Sequence, residues 1–232
     1  MVDKLIMPVR CLREEIPEND RNFNCGNEFD YILEKENEKP WTRKIGHYHP
    51  SSIRGCKRSM YYDRIGTDPV ERVDASLRMI FNMGHALHDM IQEHYEGLPG
   101  FEPEVAVEFP YLNIYGHCDG VFWEQGWVLE IKTVSDAIYG ALVRPKVDHI
   151  WQVHCYMFAL DIPRTQLLYV NRATGKKRLF RVNFSIEIWD EITNVLSHVE
   201  DHVRREEPPP QEISSYTCGT CKFYHECKPK FR

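Results

Sequence analysis

No apolar run in this 232-residue chain approaches the ~18–20 residues that a bilayer-spanning helix needs. The first residues, MVDKLIMPVRCLREE, hold no apolar signal-peptide segment, so a cytoplasmic location is the default expectation. No internal repeat recurs, which argues against a repeat array. Net positive charge is also lacking: 29 Lys and Arg stand against 35 Asp and Glu, giving −6. That total does not advertise a nucleic-acid binder, but it is weak evidence either way, because a groove is set by local charge. The acid concentrates in EEIPEND and EKENE, while SSIRGCKRSMYYDR, NRATGKKRLFR and KPKFR are locally basic. Local charge shapes a groove, and carboxylates that hold cations lower the total without opposing an anionic ligand. Residues 1–50 lack any sustained period, and irregular structure with short helices is expected there.

What is present suits one large domain, or one domain with appendages. Hydrophobic residues make up 42% and charged residues 28%, ordinary for a globular protein. Eight cysteines in a reducing compartment read as thiols or metal ligands rather than disulfides.

Residues 50–65 read as a helix capped by Ser51 or Ser52 and ended by Gly66. The strongest helical signal spans 76–96. Leu77, Phe81, Gly84, His88, Ile91 and Tyr95 share one face. Arg78, Asn82, His85, Asp89 and Glu96 take the other, so His88 is expected inward and His85 toward solvent. Three strands follow: EVAVEFPYL, NIYGHCDGVFW and WVLEIKT, the last two joined by a turn at Gln125-Gly126. A helix over 146–160, two strands (TQLLYVNRA and KKRLFRVNF), a long helix over 185–206 and a cysteine-rich tail complete the chain. This order is that of an α/β sandwich.

In WVLEIKT, Glu130 and Lys132 share a strand face, opposite Leu129, Ile131 and Thr133. Taken alone, such a pair is most often an ion pair. Hairpin neighbours lie ~4.8 Å apart, so Asp119 on the preceding strand can reach Glu130. Two facing carboxylates repel unless a cation lies between them, and oxygen ligands suit Mg²⁺ or Mn²⁺. His88 offers a nitrogen ligand. Gly84, one turn earlier, lets the helix approach the sheet closely. Lys132 is placed to orient a water and to stabilise charge on a phosphate.

The ordered set resembles the PD-(D/E)xK nuclease superfamily in its RecB-like branch. The motif G-x-x-x-H falls at Gly84 and His88, the motif aspartate at Asp119 in GHCDG, E-x-K at Glu130 and Lys132, and Q-x-x-x-Y at Gln152 and Tyr156. The resemblance covers roughly residues 50–230. It implies a restriction-endonuclease-like αβββαβ core with a mixed sheet and flanking helices. The implied division is an N-terminal extension over 1–50, a nuclease core over 51–207 and a tail over 208–232. It also implies that His88, Asp119, Glu130 and the backbone carbonyl of Ile131 hold Mg²⁺ or Mn²⁺. Gln152 and Tyr156 are implied to support the lysine and the DNA end.

The tail, CGTCKFYHEC, places Cys218, Cys221 and Cys227 at soft-metal spacing. His225 is one candidate for a fourth ligand and would favour zinc. Cys56 is the other, because its setting is similar to that of the single upstream cysteine of iron–sulfur RecB-like nucleases. The resemblance thus implies a structural [4Fe–4S] cluster on Cys56, Cys218, Cys221 and Cys227, while four thiolates also suit zinc. A clasp between residue 56 and the tail would pin both ends of the domain. Cys11 and Cys25 fall outside the pattern, with Cys25 a possible competitor, and Cys118 and Cys155 read as small buried residues.

The resemblance implies a deoxyribonuclease, with exonucleolytic 5′-to-3′ cutting and a preference for single-stranded DNA. It extends to CRISPR-associated RecB-like exonucleases and their phage relatives. A subunit working with a CRISPR integrase pair or phage recombination proteins is a second expectation. Its docking surfaces would be the long helix and residues 1–50. A third is a non-catalytic binding module whose tail is a zinc knuckle.

Overall fold

Alternating and helical periodicities in the chain are realised as a five-stranded mixed sheet with helices on both faces. The computed structural model describes residues 24–38, 44–71, 73–212 and 218–228. Cys11 and the irregular structure expected over residues 1–23 lie outside the described residues.

Helix α1 (Cys25–Lys35) starts at Asn24, whose side-chain oxygen accepts from the Gly26 and Asn27 amides. A 3₁₀ turn, Glu36–Glu38, follows it. The expected helix over 50–65 divides into a 3₁₀ turn at Pro50–Ser52 and helix α2 (Lys57–Arg64). Neither Ser51 nor Ser52 caps α2; Cys56 occupies that position without a side-chain hydrogen bond. Helix α3 (Ala75–Tyr95) is capped by Asp74, which accepts from the Leu77 amide.

Strands β1 (Phe101–Phe109), β2 (Ile114–Phe122) and β3 (Trp127–Val134) form an antiparallel meander. Helices α4 (Asp136–Ala141) and α5 (Val147–Leu160) carry the crossover to β4 (Arg164–Asn171), which pairs parallel to β3. Strand β5 (Lys177–Asn183) closes the edge antiparallel to β4, giving the order β1-β2-β3-β4-β5. Helix α4 was not foreseen: six residues are too few to show a period.

Two apolar layers flank the sheet. Leu129, Ile131, Leu168 and Val170 face α3, with Ile91, Tyr95, Phe101 and Phe122 packed against them. On the other side, Val105, Val107, Cys118, Val121 and Val128 pack against Val153, Tyr156 and Met157 of α5. Helix α6 (Ile186–Arg204) buries Trp189, Ile192, Leu196 and Val199, a stripe at helical spacing. Trp189 stacks on Phe158 of α5 at 3.9 Å between ring centroids. The long helix's apolar face is therefore covered inside the molecule rather than offered for docking.

The faces of α3 differ from expectation at two positions. Arg78, expected outward, is buried, because the turn after α1 lies against α3. Its guanidinium bonds Asn37 at 2.6 Å and pairs with Glu71. Phe81, expected inward, is 41% exposed.

Behind β2, Glu200 of α6 accepts from Tyr48 Oη at 3.0 Å and Arg64 Nε at 2.7 Å. This carboxylate ties three distant segments together, and removing it strands two donors in a mostly buried site. Glu200→Ala should cost about 2–4 kcal/mol. Thermal melting is the measurement, with Tm falling ~2–4 °C per kcal/mol lost.

Candidate active site

The site forms where the sheet comes apart. Strands β2 and β3 pair only from Gly120↔Leu129 to Phe122↔Trp127. Beyond that point β3 continues along β4, and β2 continues along β1. Near its start β2 takes a different neighbour on that side: Tyr48 forms a parallel bridge with Ile114. The β2 edge between these two pairings, residues 116–119, borders an open cleft of about 1240 Å³.

Asp119 sits at the fork. Its Oδ2 accepts from the Ile131 amide at 2.5 Å, so a side chain takes the place of a sheet partner. Its Oδ1 lies 3.2 Å from His88 Nδ1. Gly120 beside it is required, since a Cβ there would sit 2.5 Å from the Phe101 ring. Gly84 plays the expected part in α3: a Cβ would meet Thr133 Oγ1 at 3.3 Å. His88 is thus brought over β2 by a helix resting close on β3. His85 is exposed, as expected, but lines the same cleft.

Glu130 and Lys132 share the strand face turned toward α5. Glu130 is buried, and its Oε1 lies 2.5 Å from Lys132 Nζ. It also accepts from Gln152 Nε2 at 2.9 Å, and the same nitrogen donates to Tyr156 Oη at 2.7 Å. Gln152 and Tyr156, one turn apart on α5, therefore hold the glutamate from behind. Burial first, and then the Asp119 carboxylate, push Glu130 above the usual carboxylate range, while Lys132 pulls it back. Burial pushes His88 down, but its hydrogen bond to Asp119 and the nearby carboxylates outweigh this and raise it.

All six side chains expected from the sequence, His88, Asp119, Glu130, Lys132, Gln152 and Tyr156, line this one cleft. The buried Glu130 and half-buried Asp119, whose charges oppose each other, form a donor set for a hard cation, with an imidazole beside them. Among the described residues, no three His, Cys, Asp or Glu side chains stand close enough to grip one ion. The oxygens are engaged instead by His88, the Ile131 amide, Lys132 and Gln152.

Further residues of the site were not foreseen. Gln92 of α3 is buried and donates to the Asp119 backbone oxygen at 2.7 Å and to Glu104 Oε1 at 2.6 Å. Glu104 lies across from Asp119 where the β1–β2 ladder is interrupted, and its φ is +50°. Arg172, just past β4, also lines the cleft. Gln92 follows His88 by one turn, a spacing that could have revealed it.

Cys56, Cys218, Cys221 and Cys227 line a second cavity, of about 500 Å³, between α2 and the tail. His225 does not line it and lies 3.8 Å from Glu226. Cys25 is exposed at the start of α1, away from this cavity, and Cys118 and Cys155 are buried. Burial, and the neighbouring thiols after it, push Cys221 and Cys227 upward. Phe223 anchors the tail in the core beside Tyr62, 5.6 Å between centroids, and Lys222 pairs with Asp63.

No family model and no curated protein matches the sequence. Solved structures do share the architecture. The crystal structure of SSO0001 aligns with a TM-score of 0.57 and 16% identity, over 90% of this chain and 99% of that one. An alkaline exonuclease (LHK-Exo) from Laribacter hongkongensis aligns at 0.56 and 12%, over 78% of this chain and 93% of its own. The same enzyme in complex with dAMP aligns at 0.55 and 14%, with the same shares covered. The chain thus has an α/β fold shared with an exonuclease, and at these identities the likeness is one of fold.

Proposed function

We propose that this chain is a metal-dependent deoxyribonuclease of the PD-(D/E)xK type that trims single-stranded DNA ends. The observation that carries the reading is the fork itself. Asp119 and Glu130 meet where β2 leaves β3, with Lys132 on Glu130 and His88 on Asp119. Asp119, Glu130, His88 and the Ile131 carbonyl would hold Mg²⁺ or Mn²⁺. Such an ion, when bound, lowers the pKa of a water and polarises a phosphoryl oxygen.

The chain's own groups do the rest. Lys132 orients the attacking water and meets the charge that develops on the phosphate. Gln152 fixes the Glu130 carboxylate, and Tyr156, a phenol kept neutral by burial, fixes Gln152. The shared fold with an alkaline exonuclease, and that enzyme's complex with dAMP, support a nucleotide end as the substrate. Exonucleolytic, 5′-to-3′ cutting belongs to the same reading.

The four cysteines would hold a [4Fe–4S] cluster, with zinc as the alternative. The four thiols line a common cavity between α2 and the tail, which supports one group shared by all of them. Four thiolates suit either metal centre.

End-labelled single-stranded oligonucleotides, incubated with the protein in Mg²⁺, Mn²⁺ or EDTA, test the activity. Metal-dependent release of nucleotides from the 5′ end is expected, and none in EDTA. Binding without cutting under both metals would leave only a nucleic-acid-binding module.

A further inference from the structure

Along the open stretch of β2, Tyr115 and His117 alternate with the buried Ile114 and Cys118 and lead toward Asp119. Two residues of strand advance ~6.8 Å, a step that one extended nucleotide can match. Tyr115 is held by rings on two sides. His47 lies 5.9 Å from it in a tilted contact, and His117 meets it edge-on at 5.6 Å. Lys44 Nζ stands 4.3 Å from the Tyr115 ring centroid. The facing wall belongs to α3, where Phe81, His85 and His88 follow one another toward the fork. Phe81 is an apolar ring lining a polar cleft, and it is an exposed residue among those described.

We propose that Tyr115 and Phe81, on opposite walls of this cleft, stack the bases of a DNA single strand two nucleotides from the cut, with Lys44 on its backbone. The proposal rests on the nuclease reading and adds how the strand is chosen. Bases within a duplex are stacked on each other and present only their edges. A single strand presents its faces, which aromatic platforms take up with little regard to sequence. Lys44 and Arg172, at the cleft margin, supply the positive charge that a phosphate backbone needs. A preference for single strands then resides in two side chains that touch no reacting atom.

The test is equilibrium binding, followed by fluorescence anisotropy in EDTA so that nothing is cut. The probes are a labelled oligodeoxythymidine and an abasic strand of the same length. Wild type should bind the base-bearing strand more tightly. Tyr115→Ala and Phe81→Ala should each weaken that binding about tenfold, the scale of one lost base stack, and leave the abasic strand unaffected. Tyr115→Phe should bind as wild type does. Because Phe81 is exposed, its alanine variant carries the test even if Tyr115→Ala fails to fold. Equal affinity of wild type for both strands, or an equal loss on both in the variants, would overturn the stacking role. Cleavage by wild type is scored separately: cutting without base-dependent binding sinks this proposal alone, and base-dependent binding without cutting sinks only the nuclease reading.

Discussion

Lys132→Ala should cut single-stranded DNA at least about a hundredfold more slowly than wild type, the usual loss when one preorganised donor is removed. Single-turnover cleavage in Mg²⁺ measures it. The fold should survive, because Glu130 is already pushed upward by burial and by Asp119 and can take a proton once its lysine partner is gone. Loss of rate with an unshifted melting curve separates chemistry from folding. Lys132→Arg should not restore the rate, since a planar fork does not replace a compact ammonium 2.5 Å from Glu130. Full Mg²⁺-dependent activity in Lys132→Ala would sink the mechanism.

Cys56→Ser and Cys221→Ser should each strip the proposed metal centre from purified protein and lower Tm by at least about 10 °C. A structural metal centre contributes folding free energy directly, comparable with the whole stability of a domain. The proposed clasp would join residues far apart in sequence, α2 on one side and the tail on the other, so its loss would also release Phe223 from the core. His225→Ala should change neither reading. Iron and zinc analysis of anaerobically purified wild type decides the identity of the group: a visible chromophore with iron fits the cluster, and colourless protein with one zinc overturns it. An unchanged Tm in both serine variants would remove the clasp altogether.

Local patterns foretold the elements that hold the site. Alternation in WVLEIKT placed Glu130 and Lys132 on one face and Leu129 and Ile131 on the other, as they are found. Spacing on α3 put Gly84 and His88 toward the sheet, and spacing on α5 put Gln152 beside Tyr156. What stayed hidden depends on contacts between distant segments. Arg78 is buried because the turn at Glu36–Glu38 lies against it, and Phe81 is exposed because the cleft opens beneath it. No local rule anticipates a glutamate at positive φ, so Glu104 was out of reach, whereas Gln92, one turn after His88, could have been found by its spacing. The fork between β2 and β3 is also absent from the residue pattern. A hairpin with good strand formers on both arms reads as zipped along its whole length.

That fork sets strength against use. The Ile131 amide could have joined a ladder bond, and instead it holds a carboxylate. A variant in which β2 and β3 paired along their full length would gain ladder bonds and lose the cleft in which Asp119 and Glu130 meet. The protein therefore keeps a weak seam through the middle of its sheet, and selection for heat resistance alone would tend to close it.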